Sequence, residues 1–203
     1  MTSLVLASQS PARLATLRRA GIEPTVIVSG VDEDQLSGLE PAALALELST
    51  LKARAVLAHR ELPKESLVLG CDSVLELDGE ALGKPHTPEI AVERWRAMRG
   101  RSADLVSGHT LIDATDGRTE RAFARTTVHF ADISDAEIAA YVATGEPLEV
   151  AGAFTVDGLG GAFITGIEGD FHNVVGVSLP LVRELTVALG YRWPSLWSRS
   201  SEM

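Results

Sequence analysis

Leu4-Val5-Leu6-Ala7-Ser8-Gln9-Ser10-Pro11-Ala12-Arg13 is the stretch whose reading decides the fold. Four apolar residues in a row suit a short buried strand. Ser10 carries the side chain of a helix N-cap, and Pro11 has the fixed φ favoured at the first helical position. Leu14 and Leu17 then fall on one helix face, and Gly21 is a natural stop. The opening therefore reads strand, loop, helix.

The same alternation continues along the chain. A strand over Thr25–Val28 leads to the acidic loop Val31-Asp32-Glu33-Asp34. Pro41 to about His59 is rich in Ala and Leu and reads as a long helix. Leu67-Val68-Leu69-Gly70-Cys71 reads as a buried strand ending at Asp72. Val74–Leu77 and Glu80–Leu82 flank Asp78-Gly79, a pair suited to a tight primed hairpin turn. Thr87-Pro88 starts a helix that ends near Gly100. Two longer strands, 104–112 and 118–130, follow around Thr115-Asp116-Gly117. Ser134 and Glu137 form a capping box for a helix to Thr144. The glycine-rich residues 150–176 predict loop and strand, and 180–189 a last helix.

Strands and helices in this order predict an α/β protein with a mixed sheet flanked by helices. No repeat, linker or composition shift divides the chain, so residues 1–203 read as one domain with a flexible tail over 198–203. The antiparallel middle section is a candidate second lobe, with a cleft between the two.

Hydrophobic residues make up 45% and charged residues 23%, a soluble globular balance. The net charge of −10 argues against binding a nucleic-acid polymer, yet a local basic pocket still suits a small anion. One cysteine, Cys71, allows neither an internal disulfide nor a cysteine zinc site. The N-terminus has no basic region ahead of its short apolar run, and no segment approaches the ~20 apolar residues of a membrane helix. These features predict a cytoplasmic protein with no membrane association.

Five clusters carry candidate chemistry. Ser8–Arg13 sits where a strand meets a helix N-terminus, with two hydroxyls and a guanidinium that suit phosphate oxygens. Its alternative is a capped helix with a surface arginine. Asp32-Glu33-Asp34 offers oxygen ligands for Mg²⁺, or is a solvated acidic loop. Lys52 is a lone helix lysine, which usually faces solvent. Asp72 stands at the carboxyl end of an apolar strand, where open α/β sheets collect ligands, or is a turn aspartate. Gly83-Lys84-Pro85 is not a P-loop, because Gly79 is only four positions ahead of Gly83 and Pro85 follows the lysine; a phosphate-facing lysine is still allowed. Gly158-Leu159-Gly160-Gly161 is no dinucleotide fingerprint, and the five histidines show no ligand spacing.

Taken in order, these segments closely resemble the Maf family of nucleoside triphosphate pyrophosphatases. The resemblance covers about residues 3–190 and extends to Gly145-Glu146-Pro147-Leu148, Ala151-Gly152-Ala153-Phe154, Ile167-Glu168-Gly169-Asp170 and Asn173-Val174-Val175-Gly176. It implies an elongated, two-lobed α/β fold similar to that of inosine triphosphate pyrophosphatases, in a homodimer. It implies hydrolysis of a nucleoside triphosphate to the monophosphate and pyrophosphate with Mg²⁺ or Mn²⁺, and a role in clearing modified nucleotides. The family's proton acceptor falls on Asp72, its phosphate loop on Ser8, Ser10 and Arg13, and its acidic metal residue on Glu33 beside Asp72. Its basic catalytic residues fall on Lys52 and Lys84.

Two departures stand out. The family loop commonly reads Ser-Pro-Arg-Arg, and here Ala12 replaces the first arginine. That phosphate contact is missing, or comes from Arg18 or a partner chain. Pyrimidine-specific members often carry Gln where this chain has Asp157, a candidate substrate-binding residue, so the preferred base stays open. Rival readings are a non-catalytic nucleotide-binding regulator of cell division and an enzyme that releases or transfers the γ-phosphate.

Overall fold

The computed structural model of the chain describes residues 2–33, 36, 38–59, 62–63 and 65–198. Asp34 of the acidic loop and residues 199–203 of the expected tail lie outside them. β1 (Ser3–Ala7) runs through Ser8-Gln9-Ser10 into α1 (Pro11–Arg19), as the opening stretch predicts. β2 (Thr25–Val26) is shorter than expected, because only Thr25 and Val26 pair with β1 and Val28 is exposed.

After α2 (Pro41–Leu57) comes the main correction to the sequence reading. β3 (Ser66–Leu77) is one continuous strand of 12 residues and does not stop at Asp72. Asp72 lies opposite Gly108 of β5 (Ser102–Asp113), and the ladder runs unbroken from Leu67↔Asp113 to Glu76↔Asp104. β4 (Glu80–Leu82) folds back on β3 across Asp78 and Gly79, whose φ values of 54° and 83° are both in the left-handed region that such a turn needs.

α3 (Pro88–Met98), β6 (Thr119–Phe130) and α4 (Asp135–Ala143) follow close to their expected bounds. The glycine-rich region holds the expected strand, β7 (Ile164–Glu168), but its remainder is not plain loop. It forms short 3-10 turns at Ala151–Ala153 and Leu159–Phe163 and a brief helix, α5 (Phe171–Val175), ahead of α6 (Leu179–Ala188).

Among the described residues the strands make one mixed sheet of seven, in the order β2-β1-β3-β5-β6-β7, with β4 added on β3. β1 is parallel to β2 and β3, and the other pairs are antiparallel. Side-chain alternation splits the core at the β1 end into two layers. Val5, Ala7 and Val68 pack on Ala53 and Val56 of α2. Leu4, Leu6, Leu67 and Leu69 pack on Leu17 of α1 and on Val182 and Leu185 of α6. At the other end Trp95, Phe130, Tyr141 and Phe154 build a third core with α3 and α4.

α2 lies directly against the sheet at two glycines. A Cβ on Gly70 would meet the Ser49 carbonyl oxygen at 2.1 Å, and one on Gly108 the Ala45 carbonyl oxygen at 2.2 Å. Neither position has room for a side chain. The Ser49 and Thr50 hydroxyls reinforce the contact, reaching Thr110 Oγ1 at 2.8 and 2.9 Å. Among the described residues no helix is long and apolar enough to cross a membrane.

Candidate active site

β1 ends at Ala7, opposite Gly70 of β3, so its loop is released beside Asp72. The strand carboxyl end that the sequence suggests for Asp72 thus belongs to β1, not β3. Alternation places Asp72 on the α2 side of the sheet with Gly70. The close approach of α2 at Gly70 then lowers Lys52, one turn beyond Ser49, onto it.

The Lys52 ammonium donates to Asp72 Oδ1 at 2.5 Å and to Glu33 Oε1 at 2.6 Å. Lys52 is 6% exposed and Asp72 5%. Burial pushes the Asp72 carboxyl above its ordinary range, and the charges of Lys52 and Arg13 offset this only in part. Glu33 is half open to solvent. Burial would raise its carboxyl too, but the hydrogen bond and charge of Lys52, with Lys84 and Arg13 beyond, hold it below its ordinary value. A lysine read as a solvated helix residue is therefore the centre of a buried ion cluster.

Arg13 is buried and committed largely to the protein. Its Nε donates to the Gly176 carbonyl at 2.7 Å. Nη1 donates to the Cys71 carbonyl at 2.9 Å and to Ser8 Oγ at 3.2 Å. Nη2 donates to Ser73 Oγ at 3.0 Å. Arg13 thus ties the β1 loop, the middle of β3 and the α5–α6 junction together. Ser8 Oγ also accepts from the Ser10 amide at 3.1 Å, and Ser10 Oγ caps α1 by accepting from the Arg13 amide at 3.4 Å. Both hydroxyls act as acceptors in these bonds, which leaves each O–H to donate outward.

Most of the site residues the sequence singles out meet in one cleft of about 860 Å³, within the range of small-molecule sites; Asp32 does not line it, and Asp34 lies outside the described residues. Ser8, Ser10, Arg13, Glu33, Lys52, Asp72, Lys84 and Asp157 all line it. Lys84 is half-buried in the loop after β4, and Asp157 is exposed on the segment after Phe154. Arg18 does not line the cleft. Its guanidinium forks onto Glu23 at 2.6 and 2.9 Å in the open, so it does not supply the contact that Ala12 lacks.

Three contributors escape sequence reasoning. Ser73 receives Arg13 and shares a 2.7 Å hydrogen bond with Ser107. Glu146 gathers the Tyr141 and Thr155 hydroxyls at 3.0 and 2.5 Å and the amides of Leu159 and Gly160 at 3.0 and 3.1 Å. It thereby holds the segment that carries Asp157. Arg94 lines the cleft from α3 and donates to the Gly83 carbonyl at 2.5 Å. Its signal was the phase of α3: Ala91, Trp95 and Met98 form the buried stripe, and Arg94 flanks it.

Among the described residues no three His, Cys, Asp or Glu side chains form a metal-binding group. Asp72 and Glu33 are two hard carboxylates, each with one oxygen on Lys52. Such a pair fits Mg²⁺, which takes one or two protein carboxylates and fills its shell with water and substrate phosphates. Cys71 is no nucleophile here, since burial pushes its thiol up to about 11.

Comparison with known proteins shows which family the chain is part of. The family described as "Maf-like protein" matches residues 3–189. The chain is 58% identical to the nucleoside triphosphate pyrophosphatase of Salinispora tropica, over 98% of this chain and 88% of that protein. It is 57% identical to the enzyme of that name from Streptomyces avermitilis, over 96% and 94%, and 55% to that of Cutibacterium acnes, over 97% and 95%. Among solved structures, the dITP/XTP pyrophosphatase of Mycobacterium abscessus aligns with a TM-score of 0.39 and 19% identity, over 65% of this chain and 74% of that one. The Staphylococcus aureus Ham1 protein aligns with a TM-score of 0.42 and 21% identity, over 64% and 73%. The sequence match over nearly the whole length shows that the chain belongs to the Maf family.

Proposed function

We propose that the chain is a nucleoside triphosphate pyrophosphatase, converting its substrate to the nucleoside monophosphate and pyrophosphate. One observation carries the reading: Lys52 bridges Asp72 and Glu33 at the floor of a cleft that also receives the N-terminus of α1. The names of the relatives, similar over most of their length, support the same reaction.

The triphosphate lies against the Ser8–Ser10 loop, where the hydroxyls and the start of α1 offer donors to phosphate oxygens. Arg13 keeps Ser8 and Ser73 in place. Asp72 takes a proton from a water whose oxygen bonds to the α-phosphorus. The bond from that phosphorus to the bridging oxygen breaks, and pyrophosphate leaves with the electron pair. Burial raises the Asp72 carboxyl, which makes it a stronger proton acceptor than an exposed aspartate. Lys52 and Lys84 stabilise charge on the phosphates. Asp157, an acceptor at the rim, faces the nucleoside portion.

Among the described residues four cationic side chains line the cleft, Arg13, Lys52, Lys84 and Arg94, and four acids match them: Glu33, Asp72, Glu149 and Asp157. The cleft alone therefore brings no surplus positive charge to a triphosphate. Glu33 and Asp72 would hold Mg²⁺ or Mn²⁺, which would supply positive charge to the phosphates. Clearance of modified nucleotides is the role this chemistry suits.

Product analysis of the purified protein, with each metal and a panel of standard and modified nucleoside triphosphates, tests the reading. Monophosphate and pyrophosphate in equal amounts are expected. Diphosphate and phosphate, or binding without turnover on every substrate, would overturn it.

A further inference from the structure

Of the four cations that line the cleft among the described residues, two are engaged. Lys52 is neutralised by Asp72 and Glu33, and Arg13 gives its donors to Ser8, Cys71, Ser73 and Gly176. Lys84 and Arg94 are different. Among the described residues Lys84 has no hydrogen bond or ion pair, and Arg94 has only the Gly83 carbonyl. A guanidinium carries five N–H donors, so four remain on Arg94.

Nothing in the packing requires Arg94 to be an arginine. The Gly83 carbonyl also accepts from the Gly152 amide at 3.1 Å. α3 is anchored by Trp95, whose Nε1 donates to the Ala153 carbonyl at 2.7 Å. Arg94 is half-buried, and among the described residues no carboxylate makes an ion pair with it; burial disfavours its charge, which the neighbouring Glu93 offsets only in part. A partly desolvated cation with no paired carboxylate is costly, and an anion in the cleft would relieve it.

We propose that Arg94 is a polyphosphate-binding residue of this cleft, and that with Lys84 it forms a second cationic contact apart from the Ser8–Arg13 loop. This rests on the pyrophosphatase reading for its substrate, but not on turnover. Its planar fork suits two phosphate oxygens at once.

The test is calorimetric titration of the folded protein with inorganic tripolyphosphate, a probe with no base or sugar. Arg94→Met removes the guanidinium, and Arg94→Gln removes the charge while keeping an N–H for Gly83. Both are expected to weaken binding about tenfold or more while leaving the thermal unfolding temperature near that of the parent. Ala12 lines the cleft from the first turn of α1, so Ala12→Arg added to Arg94→Met restores affinity to within about threefold of the parent. Affinity of both single variants within about twofold of the parent overturns the proposal, as does no measurable binding by the parent. A parent that binds tripolyphosphate but releases no pyrophosphate from any nucleotide sinks the pyrophosphatase reading and leaves this one standing.

Discussion

The two ends of the sheet are built from different material. Around β1 the buried core is aliphatic, layered and regular, with α2 seated on glycine backbone. Around α3 and α4 it is aromatic. Trp95 stands edge-on to Phe130, Tyr141 and Phe163 at 5.6–5.7 Å between centroids, and Phe130 meets Phe154 at 5.1 Å. The aliphatic end fixes charge: close helix-on-sheet contact sets the Lys52–Asp72 distance. The aromatic end fixes shape. The 3-10 turns it covers have no ladder of their own, and large rings together with the Glu146 carboxylate hold them instead.

The largest test of this division is Asp72→Asn. Turnover should fall by about 10²–10⁴-fold while the fold survives, because Lys52 keeps Glu33 as its partner. Pyrophosphate release and thermal unfolding, measured together, check it; near-normal turnover would remove Asp72 from the chemistry. At the aromatic end Trp95→Ala should cost about 3–5 kcal/mol of stability, read by denaturant unfolding. A loss below about 1 kcal/mol would mean the rings do not carry that end.

The pH dependence sharpens the view of the aliphatic end. His109 is fully buried, receives the Ser178 amide on Nε2 at 2.9 Å, and makes a 3.0 Å contact from Nδ1 to the Ser107 carbonyl. Burial lowers it from 6.5 to about 4, with the nearby Arg13 adding to this and Ser107 and Asp170 opposing it. The unfolded chain therefore binds the proton first as pH falls. The contribution of His109 is complete above about pH 6.5, declines toward pH 4, and is worth about 3 kcal/mol across that window. Unfolding midpoints between pH 4 and 7 should show this slope, and His109→Gln should flatten it.

Smaller effects remain. Gly108→Ala places a Cβ against the Ala45 carbonyl, and overpacking of this kind costs about 1–3 kcal/mol. It should also slow turnover, since α2 carries Lys52; a destabilised variant with full activity would break that link. Glu146→Gln should cost about 1–2 kcal/mol and speed amide exchange at Leu159 and Gly160.

Legibility followed the same division. Ser10-Pro11 gave away the helix start because capping is local chemistry, and the capping box at Ser134 did so again. Asp72 was placed at a strand end because its charge broke an apolar run. The ladder passes through it only because Gly108 and Lys52 come from elsewhere in the chain. Spacing alone marks Lys52 as a surface lysine and does not mark Arg94 at all, as burial of a single long side chain leaves no periodic trace. The turns near Glu146 carry no local signal beyond loop because their support is a side-chain carboxylate 9 to 14 positions away.

The hydrogen bond from Arg13 to Gly176 spans 163 positions of sequence. The first loop is thus completed by nearly the last helical segment. During synthesis the N-terminal strand and helix emerge early, yet the guanidinium that organises the cleft lacks its Nε acceptor until residue 176 has left the ribosome. A chain that stops before residue 176 would hold most of the candidate site residues without their registration, so competence waits on the α5–α6 junction.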